Sequence, residues 1–131
     1  MSNKAAIRRQ ISQKKSEKSE KNTELTGLKD DLQRLEDALK DVNSAKDDFN
    51  QAQSSYDKTK ITDSDWKGET RNKSNKNRQE INSELKKVKQ DFEDAKEDLK
   101  DDISKKKQEI KGIENQINKL SSEIKALEAK L

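Results

Sequence analysis

The chain has 131 residues, 44% of them charged and 26% apolar, with a net charge of +3 and no histidine, cysteine or proline. The lack of His and Cys removes the commonest general base, the thiolate nucleophile and most transition-metal sites, and three scattered glycines cannot build a phosphate-cradling loop. The small charge excess does not call for nucleic acid, and the longest apolar run, Ala5-Ala6-Ile7, spans no membrane and makes no secretory leader.

In chain order, the first arm (residues 1–60) places apolar residues at Ile7, Ile11, Leu25, Leu28, Leu32, Leu35, Leu39, Val42 and Phe49. The steps from Leu25 to Val42 alternate three and four, which is the a/d stripe of a heptad helix. Lys14, Lys18 and Lys21 occupy the stripe between Ile11 and Leu25. A polar segment, residues 61–71, follows and contains Trp66-Lys67-Gly68, with 65 residues before the tryptophan and 63 after the glycine. A turn is expected there: the indole packs the corner and Gly68 frees the backbone, with Thr70 or Asn72 opening the next helix. The second arm (72–131) carries a stripe from Ile81 through Leu85, Val88, Phe92, Ala95 and Leu99 to Ile103. From Ile110 it runs on through Ile113, Ile117, Leu120, Ile124 and Leu127 to Leu131, without a miss. The two steps of four at Ala95–Leu99–Ile103 form a stutter, which locally unwinds a supercoil. About six or seven prolines would be present at average usage, and their absence leaves both arms unbroken.

These patterns predict an all-α fold, a single long antiparallel two-helix coiled-coil hairpin covering 1–131. It buries a seam rather than a globular core. A bend at Trp66 pairs residues whose numbers add to about 131. Leu28 then meets Ile103, Leu39 meets Phe92, Ile7 meets Ile124, and Phe49 meets the region of Ile81. The same alignment sets Lys14, Lys18 and Lys21 opposite Ile117, Ile113 and Ile110. Two readings are open: lysine stems cover the isoleucines while their ammonium groups reach water, or the stripe is left for another helix. The second makes Ile110, Ile113, Ile117, Leu120, Ile124 and Leu127 a partner-binding ridge. The alignment also brings Asp30, Asp31, Glu36 and Asp37 to the level of the acidic stretch 91–102, but no calcium-loop pattern is present. Paired carboxylates on such a thin hairpin stay wet, so their pKa values are not tuned for acid–base work. No catalytic residue, metal ligand or cofactor site is read. Four aromatics, three of them at seam or turn positions, make no stacking platform for single-stranded nucleic acid.

A helical hairpin with Trp66 and Gly68 at its bend resembles the WXG superfamily of bacterial type VII secretion. The length, the lysine-rich arms and the segment Ile61–Gly68 most resemble its YwqH-like branch. The resemblance covers the whole chain in layout, and its specific motif is Trp66 and Gly68. It implies a non-enzymatic targeting factor or chaperone. Its partners would be the N-terminal helical region of an LXG-type toxin, with or without a second small helical protein, and the secretion machinery. It further implies residence in the cytoplasm before export and release without a cleavable leader, with neither membrane insertion nor nucleic-acid binding. Type VII substrates often carry an aromatic followed four positions later by an acidic residue. Here Phe49, Tyr56, Trp66 and Phe92 are followed by Gln53, Lys60, Thr70 and Lys96. The export signal would thus lie on another subunit or take a divergent form. The alternative from a different class is a structural coiled-coil protein that self-associates as a rod or spacer.

Overall fold

A computed structural model describes residues 2–58 and 68–131, with side chains for 3–58 and 72–131. Two helices make up these residues: α1, Ser2–Asp57, and α2, Gly68–Glu128. With no proline and no positive φ among the described residues, nothing interrupts either helix. α1 ends one step after Tyr56, where its stripe runs out: the next positions in the repeat are Lys60 and Asp63. α2 begins at Gly68, inside the segment expected to be the turn and two residues ahead of Thr70. Trp66 lies outside the described residues. Lys125 stands in the last turn of α2, where a cation complements the exposed carbonyls.

The seam of α1 is continuous. Every a/d position from Ile7 to Tyr56 is at least partly covered, including Lys14, Lys18, Lys21, Lys46 and Gln53. Among the described residues, the buried apolar ones are Ile11 on α1 and Ile103, Ile110, Ile113, Leu120 and Ile124 on α2. Lys106 fills the α2 seam position between Ile103 and Ile110.

The chain divides into two compact units, residues 1–36 with 101–131 and residues 37–100. The division on α2 falls between Lys100 and Asp101, within the stutter Ala95–Leu99–Ile103. In the first unit Lys14 pairs with Glu123, and Asp31 with Lys106 at 3.9 Å. Numbers rise on one helix as they fall on the other, so the packing is antiparallel. In the second unit Lys46 pairs with Glu93, and the rings of Phe49 and Phe92 stand 5.6 Å apart, tilted by 51°. The fold is therefore the all-α helical hairpin expected.

Its register differs from the expected one. Paired numbers add to 137 at Lys14–Glu123 and Asp31–Lys106 and to 143 at Lys15–Glu128 in the first unit, and to 139, 141 and 134 at Lys46–Glu93, Phe49–Phe92 and Tyr56–Arg78 in the second, not to about 131. Phe49 meets Phe92, not Ile81, and Asp31 lies beside Lys106 instead of facing the acidic stretch. A seam of period seven sets apolar against apolar equally well when slid by about one repeat, so periodicity alone does not choose between such alignments. Ion pairs and the aromatic pair break that degeneracy.

Candidate helix-docking surfaces

The expected ridge on α2 lies in the first unit. Ile110, Ile113, Leu120 and Ile124 are each less than 10% exposed, while Ile117 and Leu127 are half-buried. At the level fixed by Lys14–Glu123 and Asp31–Lys106, the α1 positions alongside are Lys14, Lys18, Lys21 and Leu25. The three lysines are all partly covered, and Lys18 lines a surface groove with Ile124. Lysine stems thus lie in the seam with their ammonium groups at its edge. As the chain stands, this ridge is covered by its own first helix, so it is not an open docking face. The first of the two readings describes the arrangement found.

Two of the cross-helix ion pairs move the titration of Lys14, Glu123 and Glu93. The Lys14 ammonium donates a hydrogen bond to a Glu123 carboxylate oxygen. That bond raises Lys14 above its usual value near 10.5 and lowers Glu123 below 4.5. Lys46 donates likewise to Glu93 and lowers it, with Lys96 and Lys100 adding smaller attractions. All four side chains keep between a quarter and a half of their surface in water, which screens these attractions. Lys15–Glu128 at 3.7 Å, with both side chains about half exposed or more, adds less still.

The second unit leaves apolar surface open. Ile81 is 45% exposed and Val88 37%, with Leu85 between them half-buried. Their spacing of four and three makes one stripe. Among the described residues, the shallow groove over them is lined from α2, by Asn77, Glu80, Ile81, Glu84, Leu85 and Val88. α1 runs past this level, since Tyr56 reaches Arg78, but its last turns offer Asn50, Gln53 and Ser54 instead of apolar side chains. Tyr56 is occupied by Arg78, whose guanidinium lies 4.8 Å from the ring centre and donates to the Tyr56 carbonyl at 3.2 Å. Sequence reading counted Ile81, Leu85 and Val88 as seam. The polar residues at Asn50 and Gln53 are the signal that could have marked them as uncovered.

Of the expected turn pair, Gly68 is the first residue of α2, while Trp66 lies outside the described residues. Among the described residues no group of three or more His, Cys, Asp or Glu is arranged to hold a metal ion, and no helix is long and apolar enough to cross a membrane.

Two antiparallel helices, a seam closed by lysine stems in one unit and open over three apolar residues in the other, define a helical-hairpin protein. Its notable surfaces are helix faces and not enclosed cavities. The chain belongs to the YwqH-like family, whose sequence pattern matches residues 9–131 and so takes in both helices. No curated protein and no solved structure matches it.

Proposed function

We propose that this protein is a non-enzymatic targeting factor or chaperone that binds the N-terminal helical region of an LXG-type toxin and promotes its export by type VII secretion. Membership of the YwqH-like family across residues 9–131 carries this reading. The fold supports it, because two long helices present stripes onto which a partner helix packs. The protein waits in the cytoplasm and leaves with, or hands over, its cargo without a cleavable leader. The test is co-expression with the helical N-terminus of an LXG protein encoded beside it. Stable co-purification, and loss of toxin export when the hairpin gene is deleted, are expected. Separate elution together with unaided export would overturn the reading.

The mechanism proposed for contact at Ile110, Ile113, Ile117, Leu120, Ile124 and Leu127 is exchange. α1 covers this ridge with Lys14, Lys18 and Lys21, whose stems bury less apolar surface than leucine would. A partner helix with apolar residues at those levels displaces α1, because each fully buried aliphatic side chain is worth about 1.5–3 kcal/mol. The triple variant Lys14→Leu, Lys18→Leu, Lys21→Leu should close the seam, raise the melting temperature and weaken toxin binding at least tenfold. Binding left unchanged in a variant that melts higher would exclude exchange.

A further inference from the structure

We propose that the second unit, residues 37–100, opens and closes on its own while the first, residues 1–36 with 101–131, stays folded. The two units are unequally packed. The six buried apolar residues, Ile11, Ile103, Ile110, Ile113, Leu120 and Ile124, all belong to the first. Among the described residues the second unit buries none. Its seam residues Leu39, Val42, Phe49, Leu85, Phe92 and Leu99 are half-buried, and Ile81 and Val88 are exposed. Removal of apolar surface from water is what holds the two helices together, so the second unit loses less on opening. Lysines enter the α1 seam in both units, but in the first Ile110 and Ile113 are buried all the same.

Local helix strength points the same way. From Gly68 to Glu80 α2 has no apolar residue at all, and Asn72, Asn75 and Asn77 are weak helix formers. A stretch with neither a packed apolar face nor high propensity is marginal as a helix in water. The division on α2 falls within the stutter Ala95–Leu99–Ile103, where a supercoil locally unwinds and opening has a natural place to stop. Opening separates the half-buried seam of the second unit and lets its helix segments melt, with the first unit intact. The protein thus shows the apolar seam of residues 37–100 to its surroundings intermittently. This inference stands apart from the toxin reading, whose proposed exchange acts in the first unit.

Amide hydrogen exchange on the full chain, read peptide by peptide, tests this. After correction for intrinsic rates, peptides within 42–57 and 72–95 should exchange at least about tenfold faster than those within 11–32 and 103–124. Ile113→Ala removes a buried side chain from the first unit and should speed exchange there about thirtyfold or more. Exchange in the second unit should stay as it was, because the first unit is closed in both states that the second visits. Ile110→Val, a smaller deletion, should give the same pattern with a smaller rise, and serves if the alanine variant does not fold. Phe92→Ala should speed exchange across 42–57 and 72–95 together. Equal protection in the two units, or an Ile113→Ala rise of the same size in both, means a single cooperative transition and overturns the proposal. So does a Phe92→Ala effect confined to the turns next to residue 92, the mark of local fraying.

Discussion

Lys14 shows how a single side chain can serve a seam that its charge would seem to forbid. Its stem lies among the isoleucines of α2 while its ammonium group finds Glu123. The linkage to pH follows from the direction of each shift. Glu123 and Glu93 are held below the usual carboxylate value, so what they contribute to stability is present above about pH 4.5 and is lost as pH falls through their lower folded values. Lys14 is raised, so its contribution is present below about 10.5 and is lost as pH climbs through its higher folded value. The melting temperature should therefore be flat from these pairs between about pH 6 and 9 and drop in acid. Glu93→Gln with Glu123→Gln should lower the plateau and shrink the acid drop, which thermal melts across pH would register. In the second unit the Phe49–Phe92 pair has the largest apolar payload of the contacts found. Both rings are half-buried, so Phe92→Ala should cost about 1.5–2.5 kcal/mol, roughly half the value for a fully buried ring. Urea unfolding measures it.

At the level of the helices, the sequence was most informative. Two unbroken arms follow from the three-and-four spacing and the absence of proline, and two helices are found, Ser2–Asp57 and Gly68–Glu128. The alignment of one helix on the other was not legible, since residues such as Leu39 and Phe49 each have acceptable apolar neighbours in several registers seven apart. Nor was the burial of Ile110, Ile113, Leu120 and Ile124: three lysines opposite an apolar ridge read equally as a gap or as a cover, and only packing shows which. The two glycines inside helices are a further case. A Cβ built on Gly27 or on Gly112 meets nothing within 4 Å, so neither serves a close approach of the chains. Each leaves a helix interior with excess backbone freedom. Gly27→Ala and Gly112→Ala should each stabilise the protein by about 0.5–1 kcal/mol, and the double variant by nearly the sum. A loss of stability in chemical denaturation would mean that the glycines have a role the open space around them does not suggest.

For the molecule as a whole, the family was legible only through the resemblance of Trp66 and Gly68 in their central setting, and membership over residues 9–131 agrees with it. The open stripe at Ile81, Leu85 and Val88 was hidden because it depends on how the last turns of α1 lie along α2, a long-range property that no local pattern records. The near-heptad shift between expected and observed register also has a consequence for length. Arms matched by a recurring motif, and not by unique shapes, can gain or lose material in quanta. Excising residues 29–35 removes one full quantum, leaving Leu28 four steps from the former Leu39, and should give a cooperatively melting helical protein. Excising residues 29–30 alone turns everything downstream by about 200°, onto the opposite face, and should broaden or abolish that transition in circular dichroism.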